Sequence, residues 1–315
     1  MNAALDVVLL GEAMAMFVAD EPGPLEAVHH FHKRTAGAET NVAIGLARLG
    51  LKVGWGSRLG SDSMGRYLLA AMQGEGIDCS RVEVTTEAPS GFQFKGRVDD
   101  GSDPVVEYHR KGSAASRMTR AHLDDGWLRN ARHLHVTGVF PALSPNCLDL
   151  TRHAIATMRA AGRSLSFDPN LRPALWTSAE TMRDTLNDLA LQCDTVLPGV
   201  EEGYVLTGTR DPAGIARHYR ERGVARVIVK LGPQGAYFDD GREGCGTVAA
   251  FPVARVVDTV GAGDGFAVGV LSALLAGCSV ADAARRGAWI GARAVQVSGD
   301  TEGLPTREQL AQAGL

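Results

Sequence analysis

Val257-Asp258-Thr259-Val260-Gly261-Ala262-Gly263-Asp264-Gly265-Phe266, running into the apolar stretch Ala267 to Leu275, decides how the rest of this chain is read. An extended segment ends, two glycines and an alanine turn the backbone, and a helix begins with an aspartate in its first turn. The opening N–H groups of a helix lack intrahelical acceptors, and the helix dipole adds positive potential behind them. The amides of Gly261, Ala262 and Gly263 would therefore converge on one point and form an anion site. A carboxylate beside that site repels a resting phosphate. Asp264 makes sense there as a base that takes a proton from a hydroxyl attacking the phosphorus. A glycine turn with Asp264 as an ordinary helix cap also accounts for an isolated G-x-G-D, so the surrounding sequence has to decide.

Outward from this stretch, short β-like runs alternate with amphipathic segments, which points to βαβ units and a mostly parallel sheet. The runs are Val7–Leu10, Val53–Ser57, His133–Thr137, Ser164–Phe167, Thr195–Leu197 and Val227–Lys230. The helical segments are Asn41–Leu49, Met64–Glu75, Asn146–Ala161, Ala179–Leu191, Ala213–Arg222, Gly265–Ala276 and Val280–Val297. Ala13 to Lys33 and Ser90 to Arg110 break the pattern with strand-like alternation and no helix between. Antiparallel strands inserted into an α/β body commonly form a flap beside a site.

The 315 residues suffice for a sizeable core, and 45% hydrophobic content with 38 glycines suits many tight strand–helix turns. A formal net charge of −4 gives no reason to expect nucleic acid or an anionic membrane as partner. No apolar run reaches spanning length, and the N-terminus lacks a signal-peptide pattern, so a cytoplasmic protein is expected. The five cysteines, scattered and odd in number, read as reduced thiols. His29, His30 and His32 lack acidic or thiol partners nearby and read as solvated surface.

The string from Asp258 to Asp264 resembles the C-terminal signature of the ribokinase (PfkB-type) sugar kinases. Thr35-Ala36-Gly37-Ala38-Glu39-Thr40-Asn41 is similar to that family's G-G-x-x-x-N segment, with Ala36 replacing the first glycine. Val229-Lys230-Leu231-Gly232-Pro233-Gln234-Gly235 is similar to its K-L-G-x-x-G segment, although two glycines and a proline would also make a simple hairpin. Gly199-Val200-Glu201-Glu202 matches an N-x-x-E motif with Gly199 in place of the asparagine. Acidic residues in a first helical turn also complement the dipole unaided. The matches fall in the expected order from Ala36 to Asp264.

The resemblance implies one ribokinase-like domain over residues 1–315. Its body would be a three-layer α/β/α unit around a mostly parallel sheet, with a small β-lid from about 12–34 and 89–112. It also implies roles. Asp264 would be the general base, and Gly261, Ala262 and Gly263 the anion hole. Gly37, Ala38, Glu39, Thr40, Asn41 and Gln93 would line the sugar site. Asn170, Lys230, Gly232, Gly235 and Ala288 would join the glycine turn in holding ATP. Glu202 would organise Mg2+ through water, with a monovalent cation as a further cofactor to consider.

Two strings narrow the acceptor. Phe167-Asp168-Pro169-Asn170-Leu171-Arg172 follows a buried-looking strand and resembles a segment shared by fructokinases and 2-keto-3-deoxygluconate kinases. Tyr108-His109-Arg110-Lys111-Gly112-Ser113-Ala114-Ala115-Ser116 resembles a run of the latter enzymes, with His109 replacing a second tyrosine. Residues two apart on a strand share a face, so Tyr108 and Arg110 would look the same way. Guanidinium forks match carboxylates, and Arg110 and Arg172 together suit a sugar acid. Tyr108, His109, Arg110 and Arg172 are thus expected at the acid end of the acceptor. A neutral-sugar kinase and a catalytically silent sugar or nucleotide sensor remain the alternatives. The exposed lid edge suggests a homo-oligomer, a dimer or larger.

Overall fold

Strand β1 (Leu5–Leu10) shows why the central sheet is covered on both faces. Val7 and Leu9 enter one hydrophobic core, and Val8 and Leu10 enter the other. Side chains alternate along a strand, so a strand apolar at every position needs helices above and below. The computed structural model describes residues 5–98 and 104–315.

After β1 come β2 (Met14–Ala19), β3 (Phe31–Ala36), α1 (Ala38–Arg48), β4 (Val53–Gly60), α2 (Ser63–Gly74) and β5 (Asp78–Thr85). Next are β6 (Gly91–Lys95), β7 (Val106–His109), α3 (Asp125–Arg129), β8 (Ala131–Thr137), α4 (Pro145–Ala160), β9 (Ser164–Asp168) and α5 (Ala179–Ala190). Then follow β10 (Thr195–Val196), α6 (Val200–Thr207), α7 (Pro212–Arg220), β11 (Arg226–Lys230), β12 (Ala236–Asp240) and β13 (Gly244–Val248). The chain ends with α8 (Ala262–Leu275), α9 (Val280–Ala294) and α10 (Arg307–Gln312).

Nine strands form one sheet in the order β13-β12-β11-β10-β9-β8-β1-β4-β5. All neighbours from β11 to β5 run parallel, and β12 and β13 close one edge antiparallel. Helices α1, α2, α8, α9 and α10 supply one core, and α3 to α7 supply the other. This is the expected three-layer α/β/α body. Among the described residues no helix is long and apolar enough to cross a membrane, and the five cysteines are free thiols.

The second sheet, β3-β2-β6-β7, is the expected lid, with one difference. Its outer pairs are antiparallel, but β2 and β6 pair in parallel, Met14 opposite Gly91 through Val18 opposite Lys95. The cause is the body. β1 and β5 are parallel strands of one sheet, so the chain leaves both at the same edge, and β2 and β6 set out in the same direction. The lid also extends to Ala36, and residues 99–103 of its second segment lie outside the described residues. Strand β5 was not expected: its exposed Ser80, Arg81 and Glu83 mask the alternation, as is common in edge strands.

The parallel strands bring their carboxyl ends to one edge. Glu12 follows β1, Thr137 ends β8, Asp168 ends β9 and Lys230 ends β11. Helix α8, buried from Asp264 to Ala273, points its N-terminus at the same edge. Open α/β sheets place ligands there.

Candidate active site

At that edge, roofed by the lid, lies a cavity of about 490 Å³. Its floor is the turn entering α8. Gly261 adopts φ +83°, and a Cβ there would lie 2.7 Å from the Asp300 carbonyl oxygen, so only glycine fits. The helix begins at Ala262, and its first regular bond is Gly265 N–H to the Gly261 carbonyl at 2.8 Å. The Ala262 N–H folds back toward the Thr259 carbonyl at 3.4 Å, and Ala262 does not line the cavity. The expected anion hole is corrected accordingly. The N–H groups of Gly261, Gly263 and Asp264 have no acceptor among the described residues, and Gly261, Gly263 and Asp264 line the cavity.

Asp264 is 8% exposed. Asn41 Nδ2, from the first turn of α1, donates to one carboxylate oxygen at 2.8 Å, and Asn170 Nδ2 donates to the other at 3.1 Å. Asn170 reaches it from φ +39°, a left-handed conformation asparagine tolerates better than most residues. Burial pushes the Asp264 carboxyl up to about 8. The Asn41 hydrogen bond opposes the rise, the Asp168 and Asp300 charges add to it, and Arg172 opposes it. Gly37, at φ +141°, lets α1 start against the loop after β1: a Cβ would stand 2.4 Å from the Glu12 carbonyl oxygen.

Beside the turn, Lys230 Nζ donates to both Asp168 oxygens at 2.8 and 2.9 Å and lies 3.6 Å from Glu202. A Cβ on Gly263 would come within 3.7 Å of this ammonium. Burial pulls the Lys230 pKa down, but Asp168 and Glu202 outweigh it and hold the group above its ordinary value. Burial likewise pushes Asp168 up, to about 6. Glu202 takes the Gly199 N–H at 2.7 Å and the Leu171 N–H at 3.0 Å. It therefore caps α6 and fixes the Asn170–Arg172 loop, and Lys230 with these amides outweighs its burial and holds its pKa low. Gly199, the residue replacing the motif asparagine, is the cap position itself.

The lid supplies Gln93, Tyr108 and Arg110. Arg110 is not the free guanidinium the sequence suggested. It is clamped to the buried Glu12 carboxylate, Nε at 2.7 Å and Nη2 at 2.5 Å, and Ser113 Oγ donates to the same carboxylate. Arg110 directly follows β7, and Glu12 lies in the loop between β1 and β2. Arg172 is exposed, with Nη1 on the Leu171 carbonyl at 2.9 Å and, among the described residues, no hydrogen-bond partner for its other nitrogens.

Of the residues expected from sequence, the structure also brings Gly37 and Ala38 to the cavity wall. It does not bring His109, whose ring stacks on Phe92 at 4.6 Å on the opposite face of the lid, as strand alternation between Tyr108 and Arg110 requires. Glu39 is buried behind Gly11, accepting from Thr137 Oγ1 and, at 3.3 Å, from the Phe140 N–H; burial raises its pKa. Thr40 Oγ1 turns back on the Gly37 carbonyl at 2.9 Å. Gly232 and Gly235 lie in the β11–β12 hairpin beyond Lys230, and Ala288 packs in the core between α9 and α8. Sequence reading missed Glu12, Lys95, Asp168 and Asp300 as site groups. Glu12 and Asp168 carried a signal, since each is an acid at the carboxyl end of a buried strand.

Among the described residues no cluster of three side chains could cage a metal. Mg2+ dehydrates reluctantly and is commonly held by phosphate oxygens and water with one or two carboxylates; Glu202 and Asp168 are the acids beside Lys230 at the turn.

Comparison with known proteins gives the same frame. A model described as "pfkB family carbohydrate kinase" matches residues 4–307. A Bacillus subtilis (strain 168) 2-dehydro-3-deoxygluconokinase is 51% identical over 98% of this chain and 94% of its own length. A crystal structure of a PfkB protein from Polaromonas sp. JS666 is 64% identical, covers 98% of this chain and 99% of its own, and superposes with a TM-score of 0.91. An E. coli protein assigned as a ribokinase II, solved with ATP and Mg2+, has a TM-score of 0.90 at 26% identity, covering 98% of both chains.

Proposed function

The chain belongs to the pfkB family of carbohydrate kinases, and on that premise we propose that it phosphorylates 2-keto-3-deoxygluconate at the C6 hydroxyl with ATP, acting as one domain with its lid. The observation that carries the reaction type is the Asp264 carboxyl, held by two amides at a helix mouth where the Gly261, Gly263 and Asp264 N–H groups have no acceptor among the described residues. Asp264 takes the proton from the C6 hydroxyl. The C6 oxygen bonds to the γ-phosphorus, the bond from that phosphorus to the bridging oxygen breaks, and ADP leaves. When bound with the nucleotide, Mg2+ would neutralise phosphate charge, with Glu202 the residue that would organise it through water. The N–H groups of Gly261, Gly263 and Asp264 and the Lys230 ammonium steady charge on the phosphoryl group. Gly37, Asn41 and Gln93 bind sugar hydroxyls, and lid closure excludes water as a competing acceptor.

Acceptor identity is supported by the 51% identity to a 2-dehydro-3-deoxygluconokinase and by Arg172 and Tyr108, which line the cavity. The Arg110–Glu12 pairing favours the rival, a neutral sugar, because it removes one of two expected charges. A coupled assay with 2-keto-3-deoxygluconate, its C4 epimer, fructose and ribose separates them. The proposal expects the highest kcat/KM on a keto-deoxy acid, and a preference for fructose or ribose refutes it. Absence of any ATP turnover would favour the sensor reading.

We also propose that the enzyme is a dimer, because the lid's outer face gathers Phe17, Phe31, Phe92, Phe94 and His109 in mutual ring contact. Light scattering that returns the monomer mass at micromolar concentration would refute the dimer.

A further inference from the structure

Lys95 ends lid strand β6, yet it is 1% exposed and among the largest fully buried side chains. Its Nζ lies 2.5 Å from Asp258 Oδ2 and 3.3 Å from Asp300 Oδ1. Both carboxylates are themselves buried, and among the described residues the Lys95 ammonium is the only cation within salt-bridge distance of either. Each acid holds a part of the catalytic floor. Asp258 opens the turn into α8, and its Oδ1 accepts the Val260 N–H at 3.1 Å. Asp300 lies 3.5 Å, through Oδ2, from the Asn41 amide that also binds Asp264, and its backbone packs against Gly261.

We propose that Lys95 is a positioning residue, the resident cation of the phosphate-facing turn, carried there by the lid so that seating of the lid and alignment of Gly261 to Asp264 are one event. Without this charge, two buried carboxylates would face each other across the base of the turn. One of them would take up a proton or move away, and either change shifts Val260 and Asn41. The inference rests on the kinase reading above. It adds that the cation supporting the turn is part of the polypeptide and does not have to be recruited from solution.

The structure also provides a route for a chemical test. Lys95 and Asp258 also line a second cavity of about 450 Å³, whose wall carries the basic residues His32, Arg34 and Arg255 beside Asp20 and Val18. Once the lysine side chain is removed, a small cation could reach the Asp258 carboxylate through it, and the space Lys95 leaves beside Asp300. Lys95→Ala should lower turnover by about tenfold to a hundredfold, comparable to or less than losing a transition-state donor outright. Methylammonium, titrated against tetramethylammonium at constant ionic strength, should restore activity to Lys95→Ala and raise its Tm, while leaving wild type unchanged. Lys95→Gln keeps a hydrogen-bond donor, fills most of the space and is the more secure folder; it should be slow and should not respond to the cation. Wild type should turn over equally in sodium and potassium salts.

Lys95→Gln with wild-type turnover would overturn the proposal. So would Lys95→Ala that gains neither activity nor Tm from methylammonium, or a wild type that itself requires potassium. All rates are taken relative to wild type on its best acceptor. A wrong acceptor assignment would therefore appear as weak wild-type turnover on keto-deoxy acids, separately from these ratios.

Discussion

If Asp264 is the base, its burial sets the pH at which the enzyme works. The carboxyl is pushed up to about 8, so at pH 7 roughly one molecule in ten of the empty enzyme carries it ionised, one unit being a factor of ten. The pH profile of kcat/KM reports groups of the free enzyme. Measured with MgATP and sugar both well below their KM, so that the free enzyme is the reacting form, it should climb about tenfold per unit below an inflection near 8 and level off above it. Each of these influences can be moved separately. Asp300→Asn removes a like charge and should lower the inflection; Asn41→Ala removes the bond that favours the carboxylate and should raise it. Asp264→Asn should leave binding of both substrates within several-fold while turnover drops by roughly 10²–10⁴-fold. Stability gives a second reading. Between the ordinary carboxylate value and about 8 the folded enzyme keeps a proton that the unfolded chain has lost, so stability falls as pH rises, by at most about 1.4 kcal/mol per unit. Asp264→Asn removes that penalty and should raise Tm, more at pH 8 than at pH 5. A flat profile from pH 6 to 9, or an Asn variant that melts below wild type at pH 8, refutes the assignment.

The two arginines should separate cleanly. Arg172→Ala, at an exposed position, should lower kcat/KM on the keto-deoxy acid by tenfold to a hundredfold, from about 1.5–3 kcal/mol for a charged hydrogen bond, with fructose activity and Tm little changed; equal losses on acid and neutral sugar would refute the contact. Arg110→Ala strands the buried Glu12 carboxylate and should destabilise the fold by about 3–5 kcal/mol, slowing every acceptor alike; an unchanged melting curve would show the pair to be dispensable. Glu202→Gln should raise the Mg2+ concentration for half-maximal rate more than the sugar KM, and an unmoved Mg2+ titration would return Glu202 to capping α6.

Features written in local sequence were legible. The apolar runs gave β1, β8, β9 and β11 within a few residues, and the turn from Asp258 to Asp264 announced both a helix start and an acid at its mouth. Features that depend on long-range pairing were not. Arg110 meets Glu12 across 98 residues, and Lys95 meets Asp258 across 163; no window of sequence contains both partners. The parallel seam between β2 and β6 follows from the direction of the body strands, which neither lid segment encodes. His109 is a different case. Placing Tyr108 and Arg110 on the cavity face already commits the residue between them to the opposite face, so the alternation rule could have excluded it.

The distribution of charge explains why Asp264 differs from the other acids at this edge. Asp168 is paired with Lys230, Glu12 with Arg110, and Asp258 and Asp300 share Lys95. Each pairing favours ionisation and holds an acid in place, which suits a structural role. Asp264 alone among the carboxylates lining the cavity has no cation within salt-bridge distance among the described residues; its partners are the amides of Asn41 and Asn170. An amide fixes the orientation of a carboxyl group while adding no full positive charge, so the group keeps the high proton affinity that burial imposes. A salt bridge in that position would have aimed the carboxylate equally well and made it a poorer base. Replacing Asn170 with lysine would convert one arrangement into the other: the inflection of the pH profile should fall below 8 while kcat falls with it, because proton affinity is lost along with the need for high pH.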